Sequence, residues 1–325
     1  MPLTLTTFNL ENLFNRYSFL DLPYHQKNYE KWIMAKSTVS IKSRKGDLKP
    51  YATSQEQRVN TAHAILDAQP DVLAVCEIEN LYTLRNFNTE FMKHHFDRMI
   101  SLDGNDPRGI DVGLLIRKGA GVEVLEVRTH VDEAVAGKAI KRFSIANFGY
   151  RVDNALFSRD CLEADLKTPG GKVVTLLINH LKAQDKNVAK SRARRKVQAQ
   201  RVAQLVTAAE NAGRLPIVLG DLNTDPDANP GDDSLDPLLN HASLKDPFAG
   251  DAPAARWTHF YDTKKSVSRL DYLLVHKSIP VTATSIVRKG LSTLCKQYAG
   301  ARYPGIKEKK TEASDHCPVS ITMNI

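Results

Sequence analysis

Residues 215–219, Leu-Pro-Ile-Val-Leu, run directly into Gly220-Asp221-Leu222-Asn223. An apolar run that stops at Gly-Asp predicts a buried strand ending in a tight turn. Asp221 and Asn223, two apart on an extended segment, point to the same side. Such a pair can orient a water and hold a hard cation or a phosphate oxygen. Taken alone, it also suits an ordinary Asp/Asn turn.

The same arrangement recurs along the chain. Residues 5–8 lead into Asn9-Leu10-Glu11-Asn12, residues 72–76 into Glu77-Ile78-Glu79-Asn80, and residues 174–178 into Asn179-His180-Leu181-Lys182. Arg269-Leu270-Asp271-Tyr272 opens a later apolar run, and Ser314-Asp315-His316 precedes the last one. If these ends converge, they supply Glu11, Glu77, Asp221, Asp271 and Asp315 with His180 and His316. That set is rich in hard oxygen donors and poor in thiolates, so it favours Mg²⁺ or Mn²⁺ over zinc. Two histidines among carboxylates can do acid–base work near neutral pH. A divalent cation with acid–base groups is what phosphodiester hydrolysis needs.

The elements that must position these residues are mostly strands. Short apolar runs at 3–8, 72–76, 112–116, 122–127, 173–178, 216–219, 270–275 and 319–323 are each bounded by polar, Gly or Pro residues. Two segments have helical spacing: 57–68, and 187–212 ending at Gly213. Several consecutive strands lack a helix between them, which argues against a wholly parallel doubly wound sheet. Two packed sheets with outer helices, in a single domain spanning 1–325, suit the pattern. Three polar stretches, 16–54, 129–148 and 287–312, read as long surface loops with basic clusters, and loops of that length are usually functional or mobile.

Bulk properties narrow the class. The 325-residue chain carries a net charge of +8, which favours an anionic partner such as nucleic acid or anionic lipid. No stretch approaches the apolar length of a membrane span, and no signal peptide is visible at the N-terminus. The four cysteines are scattered without C-x-x-C spacing, which argues against a structural zinc site or a disulfide scaffold and fits a reducing compartment, most simply the cytoplasm.

Taken in order, Thr7-Phe8-Asn9-Leu10-Glu11-Asn12, Cys76-Glu77-Ile78-Glu79, Arg108-Gly109-Ile110-Asp111-Val112, Asn179-His180-Leu181-Lys182, Gly220-Asp221-Leu222-Asn223, Arg269-Leu270-Asp271-Tyr272 and Ser314-Asp315-His316 carry a family resemblance. Over about residues 3 to 325 the chain resembles the endonuclease/exonuclease/phosphatase superfamily (deoxyribonuclease I-like), and within it the bacterial branch of predicted nucleases. The resemblance implies a four-layered α/β sandwich, with two mostly antiparallel central sheets flanked by helices. It implies Glu77 as the main metal ligand, with Asp315, Asn9 and Glu11 beside it. Asp221 becomes the carboxylate that orients or deprotonates the attacking water, and Asn223 binds a phosphate oxygen or the metal. His316 lies by the scissile phosphate with Asp271 fixing its tautomer; an Asp271–Arg269 salt bridge is the plain alternative. His180 is implied as a candidate general acid with Asp111 as its orienting partner. Arg108, Asn179 and Lys182 are implied as phosphate contacts.

Lys182, Lys186, Lys190, Arg192, Arg194, Arg195 and Arg201 form a basic stretch after His180 and read either as a phosphate track or as a solvated helix face. Tyr298 and Tyr303, in the loop before Ser314, are candidates for base stacking. Cys317 reads as a buried strand residue. The expected activity is that of a Mg²⁺- or Mn²⁺-dependent phosphodiesterase, a nuclease acting on DNA. A phosphatase or a lipid phosphodiesterase on the same fold is the first rival, because substrate choice lives in loops. A non-catalytic binding module is the second, and the full complement of carboxylates and histidines argues against it.

Overall fold

The computed structural model describes residues 2–15, 17–19, 48–50, 53–106, 108–145 and 149–325. Most of the 16–54 stretch, with Lys42, Arg44 and Lys45, lies outside them.

Two six-stranded sheets form the centre. The first runs β17 (Val281–Ile286), β18 (Val319–Asn324), β1 (Pro2–Leu13), β4 (Val72–Ile78), β6 (Asp111–Arg117) and β5 (Phe96–Ser101). The second runs β13 (Leu244–Lys245), β16 (Asp271–His276), β12 (Leu215–Asp221), β11 (Val173–His180), β10 (Cys161–Lys167) and β7 (Glu123–Arg128). Small ribbons pair β2 (Tyr17–Phe19) with β3 (Leu48–Pro50), β8 (Lys141–Ile145) with β9 (Gly149–Asp153), and β14 (His259–Tyr261) with β15 (Ser266–Ser268). Helices α1 (Gln55–Ala68) and α2 (Leu81–Met92) cover the first sheet. Helices α3 (Val188–Asn211) and α4 (Asp236–Leu239) cover the second, and a short α5 (Pro253–Arg256) follows. This is the four-layered sandwich, and all eight expected strands lie in its two sheets. None of the described helices is long and apolar enough to cross a membrane.

Strand alternation creates three cores. In β11, Val174, Leu176 and Ile178 face the seam between the sheets, while Leu177 faces α3. In β12, Ile217 and Leu219 face the seam and Val218 the helix. In β4, Val72, Ala74 and Cys76 face the seam and Leu73 and Val75 face α1 and α2. Strands buried on both faces read as continuous apolar runs, which is why they were legible. The three long helices are capped where they begin: Ser54 and Gln57 form a capping box on α1, Asn80 accepts from Thr83 N on α2, and Asn187 from Lys190 N on α3.

Only β1–β4 and β11–β12 pair in parallel; every other pair in the two sheets is antiparallel. A parallel pair delivers two C-terminal ends to one edge, and antiparallel neighbours begin there. The ends of β1, β4, β11 and β12 and the starts of β6 and β16 therefore meet at one mouth of the seam. Asp111 sits across from Ile78, and Asp271 across from Asp221. The 129–148 stretch, expected as a loop, carries β8. The 287–312 stretch is irregular apart from a 3₁₀ turn at Lys309–Thr311, and the Arg302 guanidinium pins it by donating to the carbonyls of Leu291, Ser292, Cys295 and Tyr298.

Candidate active site

The seam-facing alternation continues past the apolar residues into polar ones. Asn9 follows Leu3 and Leu5, His180 follows Ile178, Asp221 follows Leu219, and Asp271 precedes Leu273 on the same face. In the second sheet His180, Asp221 and Asp271 stand in one cross-strand row. That row depends on Gly220. Its φ is +124°, and a Cβ there would lie 1.9 Å from Asn179 O.

Asp221 is the hub. Its Oδ2 accepts from Asn9 Nδ2 at 3.0 Å, across the two sheets. The same oxygen lies 3.4 Å from His180 Nε2 and 3.9 Å from His316 Nε2. Its Oδ1 accepts from Asn223 N at 2.9 Å, and Asn223 Nδ2 donates to Leu181 O at 3.1 Å. His316 Nδ1 meets Asp271 Oδ2 at 2.8 Å, and Thr258 Oγ1 donates to that oxygen at 2.7 Å. Arg269 is not Asp271's partner; it forms a two-pronged pair with Asp246 at 2.6 and 2.8 Å.

Left-handed backbone turns further carboxylates into the mouth. Glu11 and Asn12 (φ 46° and 63°) sit in the β1–β4 register shift, and Glu77 (φ 61°) sits in the β4–β6 shift. Such conformations are costly for non-glycine residues and are found where a bulge re-aims a side chain. Glu77 Oε1 comes to 3.8 Å from His180 Nε2. Glu11 Oε2 accepts from Asp315 N at 3.0 Å, while Lys309 Nζ lies 2.7 Å from Glu11 Oε1 and 3.3 Å from Asp315 Oδ2.

The electrostatics divide the two imidazoles. His180 is pushed well below the ordinary histidine range by burial, then by Arg159, Arg108 and His316, so it is neutral. Burial opposes charge on His316 too, but Asp271 prevails and holds it well above the usual value. Asp221 is pushed up to about 7 by burial, with Asp271 and Glu77 adding to the rise against His316 and Asn9. Glu11 rises to about 8, through burial and Asp315.

The remaining expected residues lie around this centre. Arg108 wraps Asp106, with its Nε and Nη2 each at 3.2 Å from a carboxylate oxygen. Lys182 Nζ pairs with Asp185 at 3.1 Å. Asn179, expected at the phosphate, is fully buried instead, and its amide donates to Leu177 O at 2.9 Å. Alternation puts it on the helix-facing side, opposite His180. The orienting contact expected from Asp111 to His180 is not made: His180 Nδ1 has no hydrogen-bond partner, and Asp111 Oδ1 accepts from Gly104 N at 2.8 Å.

Part of the basic α3 face is paired internally, with Arg192 and Lys196 on Asp233, Arg195 on Asp232 and Arg201 on Glu133. Tyr303 gives its hydroxyl to Asp67 and its ring lies 5.5 Å from that of His63, while Arg302 lies over the Tyr298 ring. Cys317 is buried, as expected.

Three nearby residues had no sequence motif to mark them. His259 packs against His316, with ring centroids 4.6 Å apart and planes tilted at 48°. Arg159 is buried against Asp106 at 2.9 Å. Lys309 belongs to the basic cluster of the 287–312 loop, where its spacing alone does not single it out. The donor set of Glu77, Glu11, Asp315 and Asn9 fits a hard divalent cation. One observation supports the fit: Glu11 and Asp315 already converge on a single cationic atom, Lys309 Nζ.

A sequence profile described as the Endonuclease/Exonuclease/phosphatase family matches residues 7–316. The chain belongs to that family, whose members are hydrolases acting on phosphoester bonds. Solved structures share the fold. A Bacteroides thetaiotaomicron mannosyl-6-phosphatase aligns with a TM-score of 0.61 at 17% identity, over 99% of this chain and 100% of that one. The human nocturnin catalytic domain with bound sulfate gives 0.60 at 15%, over 99% and 94%. D. rerio TDP2 complexed with single strand DNA product gives 0.59 at 15%, over 100% and 99%. No curated protein gives a match.

Proposed function

We propose that this protein is a divalent-metal-dependent phosphodiesterase that hydrolyses DNA. The observation that carries this reading is Asp221 Oδ2, held by Asn9 and flanked by His180 at 3.4 Å and His316 at 3.9 Å. One carboxylate between a neutral and a charged imidazole can take a proton and have it returned.

Glu77, Glu11, Asp315 and Asn9 would hold Mg²⁺ or Mn²⁺, which supplies charge stabilisation at the phosphoryl oxygens. Asp221 takes the proton of the attacking water, its orientation fixed by Asn9 Nδ2 and Asn223 N. His316 presents Nε2–H to the mouth because Nδ1–H is committed to Asp271, and that proton goes to the leaving oxygen. The Asp221 proton then returns to His316 across the 3.9 Å gap. Protonating an alkoxide leaving group is the step a diester of a poor leaving alcohol demands, and such catalysis contributes about 10²–10⁴-fold.

The net charge of +8 supports a polyanionic substrate. A second reading, a phosphatase for a small phosphate ester, is favoured by the internal pairing of Arg192, Arg195, Lys196 and Arg201, which leaves fewer α3 cations for a phosphate track. The deciding experiment incubates purified protein with supercoiled plasmid, a defined oligonucleotide and a hexose 6-phosphate, with Mg²⁺, Mn²⁺ or EDTA. DNA cleavage that needs metal and is lost in His316→Ala and Asp221→Asn is expected. Release of phosphate from the sugar phosphate with intact DNA would replace the nuclease reading by the second one, and cleavage in EDTA would overturn both.

A further inference from the structure

The ribbon of β14 and β15 projects beside His316 and is bolted to it. Phe260 N donates to Asp315 O at 2.9 Å, and Cys317 N donates to Thr258 O at 2.7 Å. On one face Phe260 is buried with Trp257, Cys295 and Cys317. The other face carries His259 and Tyr261, two apart and therefore on the same side. Their rings are stacked, with centroids 6.3 Å apart and planes at 25°. His259 in turn lies 4.6 Å from the His316 ring. A row of three rings thus leads out of the site, from a buried histidine to a tyrosine that is 44% exposed. The tip is held as well: Gln297 Nε2 donates to Lys265 O at 2.7 Å. Lys264 Nζ lies over the Tyr261 ring, 5.9 Å from its centroid, and adds a cation to the ribbon's half-exposed face.

A fixed, half-exposed aromatic ring in line with the catalytic imidazole is a platform for a flat partner, and the group one sugar away from a scissile DNA phosphate is a base. We propose that Tyr261, backed by His259, stacks on the base flanking the scissile phosphate, so that this ribbon makes the site prefer nucleotidic substrates over other phosphate esters. The inference rests on the nuclease reading above. Stacking on every base equally would make the contact selective for nucleic acid without making it sequence-specific.

The test uses short oligonucleotides with one cleavable phosphodiester, all other linkages being methylphosphonates. A normal nucleotide or a base-less tetrahydrofuran unit is placed on either side of that linkage. With the wild-type protein, removing the base on one side is expected to raise KM about tenfold, the scale of a single base–aromatic contact, with little change in kcat. In Tyr261→Ala the same removal is expected to cost less than about twofold, and Tyr261→Trp is expected to restore the penalty. Cleavage by all three proteins with equal penalties overturns the stacking platform and leaves the nuclease reading intact. No cleavage of any oligonucleotide by the wild-type protein overturns the nuclease reading, and this inference with it.

Discussion

Asn9 Nδ2 donates to Asp221 Oδ2 at 3.0 Å, so a residue of the first sheet fixes the central carboxylate of the second. Asn9 also organises its own sheet: its Oδ1 accepts from Glu11 N at 3.0 Å, and its carbonyl accepts from Ser314 Oγ at 2.7 Å. Asn9→Ala is therefore expected to free Asp221 and loosen the Glu11 and Asp315 segments together. Turnover should fall by about 10²-fold, because misaligning a catalytic group costs that much. Steady-state kinetics on a fluorogenic oligonucleotide measures it. An Asn9→Ala protein within threefold of wild type would mean that Asp221 needs no cross-sheet support.

Asp271 is fully buried and bonds His316 Nδ1 at 2.8 Å, with Thr258 as the second donor to the same oxygen. Asp271→Asn keeps the shape but replaces the acceptor with an amide that can present its donor to Nδ1. Turnover is expected to drop by about 10²–10⁴-fold while KM stays within a few-fold, since the imidazole loses its tautomer and its charge. A large rise in KM at unchanged kcat would show that Asp271 serves substrate binding instead.

Glu77 holds a φ of 61° inside a bulge that no glycine occupies. Removing its carboxylate in two ways separates strain from function. Glu77→Gly and Glu77→Ala should both lose activity, but the glycine variant should be more stable than the alanine variant by about 1 kcal/mol, because only alanine keeps the left-handed penalty. Urea denaturation followed by tryptophan fluorescence reads the difference. Equal midpoints would mean that the bulge relaxes once the carboxylate is gone.

The strands that build the mouth were legible because both faces are buried, so 72–76 and 216–219 appear as unbroken apolar runs. Strand β10 was not legible: Glu163 and Asp165 interrupt it, yet both are buried and paired with Arg128 at 2.7 and 2.6 Å. Helix α2 was hidden by its asparagines and threonines, residues with poor helix propensity that are tolerated here because Leu84, Phe87 and Met92 pack on the first sheet. In the site, motif order pointed to Asp221, Asp271 and His316, which the structure brings together. Asn179 and His180 are adjacent polar residues in sequence but part in space, because neighbouring strand residues face opposite ways. His259 was missed because it reaches the site through an isolated bridge to His316, a contact that leaves no periodic trace.

Lys309 sits where Glu11 and Asp315 converge, and its side chain is 48% exposed. A half-exposed ammonium competes with any divalent cation drawn to the same two carboxylates. Lys309→Ala is expected to lower the Mn²⁺ concentration needed for half-maximal activity by about fivefold, equivalent to losing a competing ion pair of ~1 kcal/mol. Metal titration of activity, with calorimetry of Mn²⁺ binding as a second readout, measures it. A weaker response to Mn²⁺ in the variant would mean that Lys309 acts as a substrate contact and not as a competitor.

Far from the mouth, His130 bridges Glu133 at 2.7 Å and Glu163 at 2.9 Å. Burial lowers the tendency of His130 to charge, but the two carboxylates prevail and its pKa in the folded protein is raised above the ordinary value. A raised folded pKa means that the native state binds the proton more tightly than the unfolded chain, whose histidine titrates near 6.5. The stabilisation is therefore fully present below about pH 6.5 and is lost as pH rises through the folded value. His130→Gln should destabilise the protein most at acidic pH, and the gap to wild type should narrow as pH rises. Denaturant midpoints measured for both proteins from pH 5.5 to pH 9 test this, and a gap that widens with pH would show that the imidazole is held neutral between the two carboxylates.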